Sequence, residues 1–281
     1  MKLRVGLSTC PNDTFIFHGL MAGKVDPRGF DLEFELLDVQ QLNERLAAGV
    51  LDCSKASFHA ALHLAERYGV LRAGAALGMG VGPLLLAAHE GATVEAESRV
   101  LCPGAWTTAT LLFRCLHPGA GRIEQRLFSE IMPALKRGEA DLGVVIHEGR
   151  FVYQSEGLLL VEDLGASWER ATGGPVPLGG MLARLDLPEG VHAALCAALR
   201  DSIAYGYAHP EETFQTMQRY AQELDPKVIW AHVDLYVNEH TVDLGETGER
   251  ALATLNRLAQ QAHLVEPGTP ELRLLGSRPS S

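Results

Sequence analysis

The chain has 281 residues, 47% of them apolar, and a formal net charge of −11. That is enough for one large domain or two ordinary ones around a real core. The acidic balance excludes non-specific nucleic-acid binding, which needs a basic surface, but leaves an anionic ligand open because local donors can outweigh global charge. The five cysteines, an odd number with no C-x-x-C pair, read as a reducing compartment without disulfides or structural zinc. The first residues lack an apolar signal-peptide core, and no run approaches the roughly 18 apolar residues of a membrane span. The expectation is a soluble cytoplasmic protein without membrane or nucleic-acid partners, as a monomer or homodimer.

In chain order, Leu3, Val5 and Leu7 begin a strand. It runs into a turn-prone knot, Cys10-Pro11-Asn12-Asp13-Thr14. Residues 30–37 alternate Leu32, Phe34 and Leu36 as a second strand, and 39–48 carry Val39, Leu42 and Leu46 on one helical face. Residues 58–68 read as a helix. Residues 84–88, 99–102, 142–146 and 158–161 read as further strands. Strands alternating with helices predict an α/β fold with largely parallel sheets. Beyond Leu187 the pattern turns helical: 188–208, stretches set off by Pro210 and Pro226, and a final amphipathic helix over 244–264. The tail, GSRPSS, reads as disordered.

A short echo organises this series. LAAGVLD (46–52) and LKRGEAD (135–141) share Leu, Gly and Asp at positions 1, 4 and 7. Each predicts a helix ending at a left-handed glycine cap, Gly49 or Gly138, with the Asp leading into a strand. Two similarly built α/β lobes follow, unless the match is chance. Ser57 comes five residues after Asp52, and His147 six after Asp141. Ligands of open α/β sheets bind at the carboxyl ends of strands, so facing lobes would set Ser57 and His147 across one cleft.

The candidate site residues have plain structural readings beside functional ones. Asn12 or Asp13 would cap the helix after the first strand, or form a cleft wall. Cys10 would be a nucleophile only if the helix start lowered its pKa, and no base is visible near it in sequence. DLGVVIHEGRF places His147, Glu148 and Arg150 directly after a buried strand. His147 there suits proton transfer, or is a structural histidine bonded to backbone. In CPGAWTTATLLF, the Thr107–Thr108 pair caps a helix or holds a carboxylate or phosphate at its start. SKAS supplies Ser54, Lys55 and Ser57, with Lys55 read by itself as a solvated surface charge. GMGVGPLL lacks the Lys-Ser/Thr of a P-loop and reads as a hinge or turn, and HAALH lacks the Glu of a zinc-protease helix, so no metal is expected.

Taken together, CPNDTFIF, LNERLAAG with SKAS, ALGMGVGPLL, TTA, HEGRFVY, DLGASWE and VIWAHVDLYVN resemble the 1,4-dihydroxy-6-naphthoate synthases of the futalosine route to menaquinone. The likeness runs from residue 10 to about 238. It implies the two-lobed fold of periplasmic binding proteins, without their export signal. One lobe would contain residues 1–87 and 176–281, the latter mostly helical, and 88–175 would form the other. It implies a lyase that converts cyclic dehypoxanthine futalosine, a small-molecule carboxylate, to 1,4-dihydroxy-6-naphthoate, with no cofactor and no metal. His147 would be the general base. Asp13, Lys55, Ala56, Ser57, Thr107, Thr108 and Ala109 would bind the substrate. The chain departs from the family at Ala105-Trp106, where a basic residue and a His often precede TTA. The alternatives are chorismate dehydratase of the same pathway, a cytoplasmic small-molecule binding protein, and a ligand-sensing module, although no DNA-binding segment is attached.

Overall fold

The computed structural model describes residues 1–221 and 225–278. The strands are β1 (Lys2–Ser8), β2 (Asp31–Leu37), β3 (Cys53–Ser57), β4 (Tyr68–Leu71), β5 (Ala76–Gly78), β6 (Leu84–Ala87), β7 (Arg99–Cys102), β8 (Arg122–Gln125), β9 (Leu142–Val145), β10 (Leu159–Asp163), β11 (Val176–Arg184) and β12 (Leu274–Leu275). The helices are α1 (Pro11–Met21), α2 (Val39–Ala47), α3 (Phe58–His63), α4 (Thr108–Leu116), α5 (Phe128–Lys136), α6 (Gly149–Val152), α7 (Leu164–Thr172), α8 (Val191–Ala208), α9 (Pro210–Tyr220), α10 (Pro226–Tyr236), α11 (Glu239–Val242) and α12 (Gly245–Gln261).

Two sheets organise these elements. The first runs β12-β4-β11-β3-β1-β2, with β5 paired to β11, and the second runs β10-β6-β9-β7-β8. The chain crosses to the second sheet after β5 and returns to the first with β11. Both sheets are covered on both faces, so their strands alternate between two cores instead of between core and water. In the second sheet Leu85, Ala87, Val100 and Cys102 pack against Phe113 of α4. Their neighbours Leu84, Leu86 and Leu101 pack against Ile131 and Leu135 of α5.

The echo has a structural counterpart. Gly49 and Gly138 lie just past α2 and α5 with φ of +72° and +70°. Beyond them, Asp52 accepts from the Arg4 N–H through Oδ2 at 2.9 Å and gives its own N–H to Arg4 O. Asp141 does the same with Arg99, at 2.7 Å through Oδ2. In each sheet the Asp pins the incoming strand, β3 or β9, to the start of its parallel neighbour, β1 or β7. The side-chain contact fixes the register before the ladder begins.

Several expectations change. The sheets are mixed, because β11 runs antiparallel to β3, β4 and β5, and β6 runs antiparallel to β9 and β10. The helix expected over 58–68 stops at His63, and the apolar residues from Tyr68 form β4. A buried apolar run of that length suits either state, and pairing with β11 selects the strand. The C-terminal helices run as expected, with boundaries shifted by a few residues. Of the tail, residues 279–281 lie outside the described residues, while Arg278 pairs with Glu249 and Glu246.

Candidate active site between the sheets

The site is assembled from the ends of strands. β3 ends at Ser57, β9 ends two residues before His147, and β1 ends at Ser8. The turn from β7 into α4 brings Thr107 and Thr108 to the same place. These elements line a cleft with a cavity of about 90 Å³ between them. All eight residues expected from sequence line it: Asp13, Lys55, Ala56, Ser57, Thr107, Thr108, Ala109 and His147.

Asp13 is not a helix cap. Cys10 is the N-cap residue of α1, without a side-chain capping bond, and Pro11 opens the helix. Asp13 is free for other work and is 1% exposed. Its Oδ2 accepts from Ser8 Oγ at 2.6 Å. Its Oδ1 accepts from Asn12 Nδ2 at 2.9 Å and meets Lys55 Nζ at 2.7 Å. Lys55 is therefore no surface charge. It is buried at 6% exposure on an inner strand, paired with Asp13 and donating to Gly74 O at 3.3 Å. Burial of both charges is tolerated because each has its counter-ion and further hydrogen bonds.

His147 adopts a left-handed backbone, φ +55°, a conformation costly for most side chains. The strained turn leaves Nδ1 3.1 Å from Cys10 Sγ and seals Nε2 from solvent with no partner among the described residues. Phe128 packs edge-on against the ring. Burial, with Lys55 nearby, lowers the His147 pKa to about 4, against the raising effect of Asp13. Burial, then the charges of Glu148 and Asp13, pushes the Cys10 thiol well above its ordinary value. The pair is neutral imidazole beside neutral thiol. That overturns the helix-start nucleophile for Cys10 and gives it a different use, as a partner for His147 Nδ1.

The Thr107–Thr108 turn is both cap and wall. Thr107 is the N-cap of α4, its Oγ1 accepting from Thr110 N at 3.3 Å and donating to Gly104 O at 2.8 Å. Thr108 Oγ1 donates to Leu178 O at 2.6 Å and lies 3.3 Å from the His59 N–H. The HAALH histidines brace this turn. His59 Nδ1 lies 3.2 Å from Thr107 O, His59 and His63 Nε2 atoms are 3.3 Å apart, and His63 stacks on Trp106 at 4.9 Å. A carbonyl only accepts, so His59 carries its proton on Nδ1 and receives one from His63. Burial and His63 lower the His59 pKa to about 4, which keeps it neutral.

Three further cavity residues, and Asn43 behind Ser57, escaped sequence reasoning. Asn43, fully buried, accepts from Ser57 N at 3.1 Å. His232 and Tyr236 come from α10, whose VIWAHV stretch carries the resemblance without marking either residue as part of a site. Gly179 comes from β11, hidden because Pro177 and two glycines look like strand breakers. The glycine is required: a Cβ there would sit 2.5 Å from Ala56 O on the paired strand. Arg150 supports the crossing from outside the cavity lining, with bonds to Gly82 O at 2.6 Å and Asp163 Oδ2 at 2.8 Å.

Comparison with known proteins gives the arrangement its context. The model of a family described as menaquinone biosynthesis matches residues 3–261. The chain belongs to that family. It is 47% identical to a 1,4-dihydroxy-6-naphtoate synthase of Thermus thermophilus, over 94% of this chain and 96% of that one. A protein of the same name from Streptomyces coelicolor is 38% identical over 96% of each. The crystal structure of protein AF1704 from Archaeoglobus fulgidus superposes with a TM-score of 0.89 at 31% identity, covering 94% of this family member and 98% of that chain. The alkanesulfonate-binding protein SsuA from Xanthomonas axonopodis reaches 0.70 at 12% identity, covering 96% of each chain. That likeness is one of fold: a two-lobed, periplasmic-binding-protein-like α/β architecture.

Proposed function

We propose that this family member converts cyclic dehypoxanthine futalosine to 1,4-dihydroxy-6-naphthoate, a lyase reaction of menaquinone biosynthesis, with His147 as general base. The observation that carries the chemistry is the geometry of half-buried His147, a cavity residue with Nδ1 3.1 Å from Cys10 Sγ and Nε2 without a partner among the described residues, and burial lowers its pKa to about 4. A base must hold a lone pair at working pH, and this one does so throughout the neutral range. Removing a proton from the sugar-derived part of the substrate opens its ring. A retro-aldol-type cleavage then releases the sugar fragment, and aromatisation drives the sequence forward. Each step is a proton transfer or an elimination, so electrons balance without an oxidant.

The substrate carboxylate lies at the Thr107–Thr108 turn, at the start of α4, where free backbone N–H groups favour an anion. Ser57, held by Asn43, faces it across the cavity, and Ala56 and Ala109 leave room for a flat ring. Acid–base help of this kind is worth about 10²–10⁴-fold, and positioning with water exclusion supplies the remainder. The naming of the two relatives supports the reaction, and the cavity chemistry is consistent with it. The test is a product assay with cyclic dehypoxanthine futalosine, wild type beside His147→Asn. Naphthoate from wild type, with loss of about 10²-fold or more in the variant, is expected. Full turnover by His147→Asn would remove the base assignment, and no product from wild type would remove the reaction.

A further inference from the structure

The chemistry above uses one histidine, and the cavity holds two. His232 on α10 is 1% exposed, lines the same cavity, and lies parallel to His147 within 14° at 6.2 Å between ring centres. Its protonation can be read from its neighbours. Asp13, paired with Lys55 and bonded by Ser8, is a carboxylate and only accepts. Asn12 must therefore turn its Nδ2 to Asp13, at 2.9 Å, and its Oδ1 to His232 Nε2, also at 2.9 Å. An amide oxygen only accepts, so the His232 proton sits on Nε2. Nδ1 is then a bare lone pair, buried and without a partner among the described residues. A buried acceptor left unmet is costly and calls for a reason. Here the chain Lys55–Asp13–Asn12 enforces it.

We propose that His232 is a second catalytic residue of the reaction assigned above, accepting the proton of a substrate hydroxyl on Nδ1, with Asn12 as its positioning residue. The inference rests on that reaction. His147 Nε2 takes the carbon-bound proton, the C–H electron pair forms a C=C bond as the ring C–O bond breaks, and the proton returns from Nε2 to the expelled alkoxide oxygen. In the cleavage the hydroxyl proton moves to His232 Nδ1, and the oxygen pair left behind forms the new C=O bond. The C–C bond breaks, its electron pair enters the conjugated ring system as an enolate, and the proton returns from Nδ1 to that enolate. The imidazole ends neutral, and nothing is oxidised or reduced. The ring opening removes a C–H proton and the cleavage an O–H proton, and two parallel imidazoles, each with one nitrogen unpartnered among the described residues, can serve one step each.

Two variants separate the roles of the two nitrogens. His232→Gln keeps a donor toward Asn12 and removes the acceptor. His232→Asn keeps an acceptor near the Nδ1 position that cannot take a proton. With full-length protein and cyclic dehypoxanthine futalosine, both variants should fold and lose about 10²-fold or more in kcat, with KM changed by less than about threefold. In 15N-histidine NMR the wild type should show His232 protonated at Nε2, and added 1,4-dihydroxy-6-naphthoate should shift its Nδ1 resonance. A folded His232→Gln with near wild-type kcat, or a free protein with the proton on Nδ1, would overturn the proposal while leaving the reaction intact. If wild type makes no naphthoate, the reaction itself fails. His232 is then judged by the NMR alone, and an unmoved Nδ1 resonance rejects it as a ligand acceptor.

Discussion

The chemistry of single residues here follows from burial. His147 is held near pKa 4 chiefly because its charged form has lost its water. If the neutral ring is the base, kcat/KM should stay flat from about pH 8 down to about pH 5 and fall with a midpoint near 4, well below the 6.5 of a solvated histidine. A pH–rate profile with its acid limb near 6.5 would contradict this. Cys10 adds a second residue-scale expectation. Its sulfur holds His147 Nδ1, so Cys10→Ala should leave the fold intact and cost roughly tenfold in kcat/KM, about 1.4 kcal/mol of transition-state stabilisation. Steady-state kinetics of the variant, with its melting curve as control, checks it.

At the scale of elements, two glycines of similar appearance in the sequence have different work. Gly138 has φ of +70° with open space around it, so Gly138→Ala should cost only about 1 kcal/mol, the strain of a left-handed alanine. Gly82, where the chain crosses between sheets, lies against the start of α7, and a Cβ there would sit 2.2 Å from Gly165 Cα. Backbone meets backbone, so neither side can yield cheaply, and Gly82→Ala should cost about 2–3 kcal/mol or more. Denaturant titrations of both variants should separate them. Equal costs would mean that the crossing adjusts freely. Within the glycine-rich stretch, Gly82 is thus a packed point whose carbonyl Arg150 holds, while Met79 and Gly80 are exposed.

Across the whole molecule, the buried polar network links function to stability. Lys55→Met leaves the Asp13 charge buried without its counter-ion and should cost about 3–5 kcal/mol, while adding Asp13→Leu should recover part of it. Chemical denaturation as a double-mutant cycle measures the coupling, and additive costs would mean the pair acts independently. Buried histidines add a pH dependence. His147 and His59 have folded pKa values near 4 against 6.5 when solvated, and His232 lies well below its ordinary value. Between those limits the unfolded chain binds more protons, so stability rises with pH through that window and is lost on acidification. Each fully shifted histidine should cost about 1.6 kcal/mol between pH 6.5 and pH 5. Melting temperatures across that range check the sign.

The sequence by itself determined the features that depend on neighbours along the chain. The 2- and 3.6-residue periods gave six of the twelve described strands and the longer helices. The Leu-Gly-Asp echo marked two equivalent helix ends and the strands that follow them, because a left-handed cap and a strand-pinning carboxylate are short-range devices. The motifs brought the cavity residues to notice and carried the family resemblance. Tertiary structure decided what depends on distant partners. The antiparallel course of β11 is set by pairing with β3 and β4, and its glycines by the backbone beside them. Lys55 reads as a surface lysine until Asp13, 42 positions earlier, is placed 2.7 Å away. Cys10 lacks a visible base until His147, 137 positions on, meets its sulfur. His232 is not singled out in the sequence, and only Asn12, 220 positions away, fixes its proton. Protonation and charge depend on who is near in space, and sequence order does not record that.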